Sequence, residues 1–404
     1  MPRIDGLLKL LKDKNGSDLH LAVGSPPIMR IHGELERLQV RELTQSDMES
    51  LLFEIMDNEK KEIFLKNKEY DFAYEVSNVA RFRVNAFYQR KGLAAVLRLI
   101  PAIVPRLEDL NMPEVMKSFC FYDRGLILVT GPTGSGKSTT LAALIDFINR
   151  NSSSHILTLE DPIEFVHQNI SCLINQRQIG EHSLSFVSAL RSALREDPDV
   201  ILVGEMRDLE TISLAITAAE TGHLVFGTLH TSSAAKTVDR IIDAFPKDQQ
   251  EQIRTMLSES LKAVVAQQLI KTIDGKGRVA ALEIMVVTPA VSNLIREAKT
   301  FQIPSIIQTG KKDGMQLMDQ AILDLLKMKK ISAEEAYLHA NNKAMFEQYI
   351  KDKNIYMAYG IETGAHELSP RKDILERIAK ETKFTGKADE LATQRNIVNS
   401  QKPI

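Results

Sequence analysis

The chain of 404 residues is 44% hydrophobic and 26% charged, the profile of an ordinary globular protein long enough for two or three cores. Its 51 Lys and Arg against 53 Asp and Glu leave a formal net charge of −2, which disfavours a protein held chiefly by nucleic-acid phosphates, because those demand a basic excess. Cys120 and Cys172 are the two cysteines and lie outside any C-x-x-C; a disulfide scaffold is unnecessary at this size, a cysteine zinc site lacks ligands, and buried thiols in a reducing cytosol are the expectation.

The opening Met1-Pro2-Arg3-Ile4-Asp5 lacks the apolar core of a signal peptide, and no apolar run approaches the ~20 residues of a membrane helix. A cytoplasmic protein without a transmembrane segment is expected. Asp18-Leu19-His20-Leu21-Ala22-Val23 alternates as a strand does, and Ser25-Pro26-Pro27 marks a turn before a second strand at Ile28-Met29-Arg30-Ile31. Thr44 to Lys66 reads as helix, with Met48, Leu51, Leu52, Ile55 and Met56 at helical spacing. Alternation returns in Arg81-Phe82-Arg83-Val84-Asn85-Ala86-Phe87-Tyr88, which puts Phe82, Val84 and Ala86 on one sheet face and the arginines on the other. Residues 1–100 therefore read as a small α+β domain, and Pro101 and Pro105 bracket a linker over 101–112.

From residue 113 to 360 the pattern changes. Apolar runs at Leu126–Thr130, Ile156–Glu160, Val200–Val203 and Leu224–Leu229 alternate with helical patterns, which implies β-α-β units and a largely parallel sheet buried on both faces. From Asp248 a helix is expected, with Ile253, Leu257, Leu261, Val264 and Val265 on one stripe, and further helix through about Ile350. Residues 361–404 form a polar tail, expected to be mobile, with one short helix near Asp373–Lys380.

Gly131-Pro132-Thr133-Gly134-Ser135-Gly136-Lys137-Ser138 fits G-x-x-x-x-G-K-[ST] completely, between a buried strand and a helix starting near Thr139. Both flanks are what phosphate binding requires. The glycines let backbone N–H groups turn inward around an anion, and the helix N-terminus adds partial positive charge. Gly131, Pro132, Thr133, Gly134, Ser135, Gly136, Lys137, Ser138 and Thr139 are thus the expected cradle for ATP. In this scheme Lys137 reaches the β- and γ-phosphates, and the Ser138 hydroxyl ligates Mg²⁺.

Hydrolysis also needs groups that hold the metal and align water, and four sets offer them. Leu159-Glu160-Asp161-Pro162-Ile163-Glu164-Phe165 crowds three carboxylates behind a strand, and either Glu160 or Glu164 can serve as base. Val200-Ile201-Leu202-Val203-Gly204-Glu205-Met206-Arg207-Asp208 ends a buried strand on an acid, so Glu205 is a candidate for Mg²⁺ or for the nucleophilic water. His230, in Gly227-Thr228-Leu229-His230-Thr231, can sense the γ-phosphate. Arg81, Arg83, Arg195 and Arg207 are candidates to neutralise transition-state charge.

Together these segments resemble the secretion-type traffic ATPases, most closely the PilT-like type IV pilus retraction ATPases. The glutamate-bearing Asp box of that group matches Ile156–Phe165, its atypical Walker B Asp197–Asp208 and its His box Thr221–Ser233. Gly16-Ser17-Asp18-Leu19-His20, Ser25-Pro26-Pro27 and Arg81-Phe82-Arg83-Val84-Asn85 also look like it. The resemblance implies an α/β fold with a PAS-like N-terminal domain, a RecA-like P-loop ATPase domain with a mainly helical C-terminal portion, and a homohexamer. It also implies Glu164 as catalytic glutamate, Glu205 as Walker B glutamate, and Arg81, Arg83 and Arg195 completing the site.

The implied work is ATP-driven pilus depolymerisation and twitching motility at the inner-membrane pilus base. The implied partners are a membrane platform protein and related retraction or assembly ATPases. Assembly and type II secretion ATPases carry an N-terminal extension and a tetracysteine module, which two cysteines cannot build. Ala290-Val291-Ser292-Asn293-Leu294-Ile295-Arg296-Glu297 resembles the retraction motif Ala-Ile-Arg-Asn-Leu-Ile-Arg-Glu, but Ser292 replaces an arginine, so an accessory retraction paralogue is the nearest alternative. A RecA-like nucleic-acid motor and a nucleotide-binding regulator without turnover stand further off.

Overall fold

The computed structural model describes residues 2–350 apart from 32, 78, 101–102 and 276, so the polar tail and its expected helix lie outside the described residues. The chain divides into a unit Met1–Phe346 and a second unit Glu347–Ile404. In the first unit the described residues build two β-sheets, one from each half of the sequence.

The N-terminal part runs α1 (Ile4–Asp13), β1 (Gly16–Ala22), β2 (Ile28–Ile31), β3 (Glu34–Arg37), α2 (Gln45–Phe53), α3 (Asn58–Asn67), β4 (Glu69–Val76), β5 (Ala80–Gln89) and β6 (Gly92–Ile100). Its six strands pair in the order β3-β2-β1-β6-β5-β4, every pair antiparallel. Ile4, Leu8 and Leu11 of α1 and Met48 and Leu52 of α2 bury against Phe82, Val84 and Ala86 of β5, which leaves Arg81 and Arg83 on the opposite face as the alternation expects.

The expected single helix over Thr44–Lys66 is two. Thr44 caps α2 in a reciprocal capping box with Asp47, and Asp57 then caps α3 by accepting the Lys60 N–H. An aspartate that satisfies orphan N–H groups starts a helix more readily than it continues one, so the chain turns there.

The second part continues with α4 (Val115–Phe119), β7 (Gly125–Thr130), α5 (Lys137–Asn151), β8 (His155–Glu160), β9 (Leu173–Gln178), α6 (Phe186–Ala193), β10 (Val200–Val203), α7 (Leu209–Glu220), β11 (Leu224–Leu229), α8 (Ala234–Asp243), α9 (Gln250–Ser260), β12 (Leu261–Lys271), β13 (Arg278–Val286), α10 (Pro289–Arg296), α11 (Ile303–Thr309), α12 (Met318–Lys327) and α13 (Ala333–His339). The seven strands order as β13-β12-β7-β11-β10-β8-β9, all parallel but for β13. β7, β10 and β11 are buried at every position, as their continuous apolar sequences require. Helices cover both faces: Leu141, Leu144, Ile145 and Ile148 of α5 on one, and Ile212, Ile216, Val238, Ile241 and Leu257 of α7–α9 on the other.

The helix expected through Leu261, Val264 and Val265 ends at Ser260. Those three residues lie on β12, which pairs parallel with β7 and antiparallel with β13. Leu257, Leu261 and Val264 fit helical spacing, but Ala263-Val264-Val265-Ala266-Gln267 is buried continuously between two strands, and tertiary context overrides periodicity there. The C-terminal part is therefore mixed up to Val286 and helical only beyond it.

Candidate active site

β7 runs inside the second sheet, between β12 and β11, and releases the chain into the loop 131–136, which feeds directly into α5. Gly131 has φ +144°, and a β-carbon there would stand 2.3 Å from the Gln267 carbonyl oxygen, so only glycine fits. Gly136, at φ +88°, would meet the Gln267 amide at 2.9 Å. Gln267 itself is buried on β12 and supports the loop from beneath. Its Nε2 donates to the Ser135 carbonyl at 2.7 Å, and its Oε1 accepts from the Thr140 hydroxyl at 2.8 Å.

Lys137 opens α5 and donates from Nζ to the Gly131 and Pro132 carbonyls at 2.9 and 3.1 Å. Burial draws its ammonium below the ordinary lysine range, opposed by the charges of Glu205 and Glu164. The loop fits a nucleotide phosphate by an observation of its own. Among the described residues the buried hydroxyls of Ser135 and, at the end of β7, Thr130 find no hydrogen-bond partner, beside a loop whose open face is lined by Thr133, Lys137 and Ser138.

Strand register brings the acidic groups to the same edge. Val203 pairs with both Leu159 and Gly227, so the residues that follow each strand end side by side. Thr228 donates to the Gly204 carbonyl at 2.6 Å, and Met206 N–H to the Thr228 carbonyl at 3.0 Å, which fixes the turn carrying Glu205. His230 Nε2 lies 2.8 Å and Arg207 Nε 2.5 Å from the same Glu205 oxygen. Burial pushes the Glu205 carboxyl up, but these two hydrogen bonds outweigh it and hold the group below the usual carboxylate range.

Glu160 behaves oppositely. Burial raises it even though Thr158 Oγ1 and Gln176 Nε2 donate to it at 2.6 and 3.2 Å. Glu164 is exposed on the loop beyond.

These groups line one cleft of about 530 Å³, which the N-terminal sheet closes with Arg83 and Arg98. The cleft unites Thr133, Gly134, Gly136, Lys137, Ser138 and Thr139 with Glu160, Glu164, Glu205, Arg207, His230 and Arg83. Gly131, Pro132 and Ser135 build the loop behind it. Arg81 lies outside, opposite Glu75 on β4, and Arg195 is exposed after α6, also outside the cleft as the described residues form it.

Sequence reasoning missed Arg98, Arg278 and Gln267. Arg98 carried a readable signal, a lone charge inside Val96-Leu97-Arg98-Leu99-Ile100, whereas Gln267 was hidden by the mistaken helix.

A family model described as "Type II/IV secretion system protein" matches residues 14–338. The chain belongs to that family. It is 55% identical over 333 residues to the type IV pilus retraction ATPase PilT of Pseudomonas aeruginosa, covering 82% of this chain and 96% of that one. It is 56% identical over 316 residues to a twitching motility protein of Neisseria gonorrhoeae, covering 78% and 84%. The crystal structure of the pilus retraction motor PilT with bound ADP superposes with a TM-score of 0.79 at 46% identity, covering 85% of this chain and 99% of the other. The chain is accordingly a nucleotide-binding, ATP-hydrolysing secretion ATPase, with an N-terminal domain ahead of its ATPase domain.

In this secretion ATPase the support beneath the loop is testable. Gln267→Ala leaves the Ser135 carbonyl and Thr140 hydroxyl without their partners, at a cost of about 1–3 kcal/mol. The expected result is a lowered melting temperature and weaker ATP binding, read by thermal denaturation and a nucleotide-binding titration. Unchanged affinity removes Gln267 from the support of the site.

Proposed function

We propose that this chain is the hexameric motor that drives type IV pilus retraction, and with it twitching motility, from the cytoplasmic side of the inner-membrane pilus base. The observation that carries the reading is the composition of the cleft. One wall holds the phosphate loop, and the other holds arginines from a separate sheet with a separate core. Bound nucleotide is thereby read by both parts of the protein, which is what a motor that converts hydrolysis into movement needs. A further support is the high identity to proteins named for retraction and twitching.

In this reading the loop N–H groups, Lys137 and the α5 N-terminus hold the phosphates. Ser138 and Glu205 would hold Mg²⁺, which when bound would supply positive charge to the phosphates during transfer. His230 and Arg207 fix the Glu205 carboxylate in its ionised form. Glu164 takes the proton of the attacking water, with Glu160 the competing base. Arg83 and Arg98, with Arg81 and Arg195 as candidates delivered by a neighbouring subunit, stabilise charge at the terminal phosphate. The ring acts on a membrane platform protein and works alongside related pilus ATPases. Among the described residues no helix is long and apolar enough to cross a membrane.

Deletion of the gene, scored for pilus number and twitching, tests the reading: excess pili with lost motility support it, and bald cells overturn it in favour of assembly. The accessory alternative rests on Ser292, whose hydroxyl donates to the Ser258 carbonyl of α9 at 2.7 Å where the retraction motif has arginine. It is favoured if the deletion weakens retraction without abolishing it.

The helix carrying that serine offers a second test. Val291, Leu294 and Ile295 are buried, while Arg296 is exposed and reaches the Ser258 hydroxyl at 3.3 Å. Arg296→Ala is expected to leave hexamer formation and ATPase rate near wild type while twitching is lost. Normal twitching removes the coupling role, and a collapsed ring returns the helix to the core.

A further inference from the structure

Arg30, Asp18, Arg98 and Arg83 are direct cross-strand neighbours on β2, β1, β6 and β5, so they form one row across four adjacent strands. Arg98 and Arg83 stand opposite each other, a pairing that like-charge repulsion makes unfavourable in a sheet. Within the sheet that repulsion is offset by one carboxylate for each arginine, Asp18 for Arg98 and Asp71 for Arg83. Both arginines line the nucleotide cleft.

Asp18 is the unusual member of the row. Its side chain is 5% exposed, and a buried carboxylate is costly unless it is paired. One oxygen accepts from Arg98 Nε at 2.8 Å; the other accepts from Ser17 Oγ at 2.8 Å, with Arg30 Nε 3.8 Å away. The Arg98 side chain is nonetheless 66% exposed. Asp18 thus engages the inner nitrogen of the guanidinium and leaves its outer edge uncovered. Asp71 treats Arg83 differently, taking both Nε and Nη2 at 3.0 and 2.5 Å. Of the two cleft arginines on this sheet, Arg98 keeps more of its donor fork for a ligand.

We propose that Asp18 is a positioning residue for ATP hydrolysis, locking Arg98 through Nε so that its outer edge serves the terminal phosphate. The proposal rests on the ATPase reading of the cleft. A purely architectural Asp18 would tie β1, β2 and β6 together and have no dependence on Arg98's role in turnover.

A double-mutant cycle in the full chain separates the two. Asp18→Asn keeps shape and hydrogen bonding but weakens the hold on Arg98, and is expected to lower kcat at least about tenfold while ADP affinity stays within about twofold. Asp18→Asn/Arg98→Ala is expected to turn over no more slowly than Arg98→Ala alone, because the aspartate acts only through the arginine. Additive losses overturn the proposal. So does normal turnover by Arg98→Ala, which leaves Asp18 nothing to position while an inactive Lys137→Ala variant still upholds the ATPase reading; a wild-type chain without turnover removes both.

A readout independent of folding in the variants uses the wild type. Phenylglyoxal labelling of Arg98, followed by mass spectrometry, should be blocked more by a non-hydrolysable ATP analogue than by ADP. Equal labelling in the two cases overturns the proposal.

Discussion

Lys137→Ala is expected to reduce ATP turnover at least about a hundredfold, equivalent to about 2.7 kcal/mol of lost transition-state stabilisation. The side chain is the phosphate loop's own cation, and its ammonium rests on the Gly131 and Pro132 carbonyls at the mouth of α5. Alanine is an excellent helix former, so α5 should still begin at the same residue, and the loop retains its support from Gln267. On the proposed reading, what disappears is a charge beside the β- and γ-phosphates in a partly desolvated site, where it is worth more than in water. Steady-state phosphate release, compared with the melting temperature of the same preparation, checks this. Turnover above about a tenth of wild type would sink the assignment of the loop.

Glu205→Gln should cause a loss of the same order while leaving ATP binding within about threefold, because binding energy comes mainly from the loop. Glutamine preserves shape and can still accept from His230 and Arg207, so the change removes charge with little effect on architecture. If Glu205 holds Mg²⁺, the loss falls on turnover; equal losses in affinity and turnover would make it a ground-state contact instead.

The variant also carries a pH signature. The folded state holds the Glu205 carboxyl below its ordinary value, through the Arg207 and His230 hydrogen bonds that overcome burial. Such a group stabilises the fold at neutral pH, above its unfolded value, and that contribution fades as pH falls through the folded value. Wild type should therefore exceed Glu205→Gln in melting temperature most clearly near neutrality, with the gap closing in acid. A gap that widens toward low pH contradicts the ion pair.

The parts of this protein that were legible in its sequence are those with a fixed local grammar. Gly131 to Ser138 declares itself by spacing, and the apolar runs ending at Thr130, Glu160, Val203 and Leu229 announce buried parallel strands. Alternation over Arg81–Tyr88 correctly separated a buried face from an arginine-bearing one. Legibility failed where partners distant in sequence decide. Val264 and Val265 fit a helical stripe as well as a strand, and only pairing with β7 and β13 resolves them. Arg98 becomes a cleft residue because β6 lies between β1 and β5, an adjacency that no local pattern states. Asp57 could have been recognised as a cap, but the apolar spacing on either side of it concealed the break.

The division of the cleft between two sheets has a consequence for how the enzyme responds to load. Phosphate-binding groups belong to one core and the arginines Arg83 and Arg98 to another. A pull that drew the sheets apart would move charge away from the reacting phosphate without disturbing any bond around Lys137 or Glu205. If these arginines stabilise the terminal phosphate as proposed, the rate of hydrolysis would depend on mechanical tension as well as on nucleotide concentration. Such a protein would be a strain gauge as much as a catalyst: its rate of fuel consumption would report the force on it.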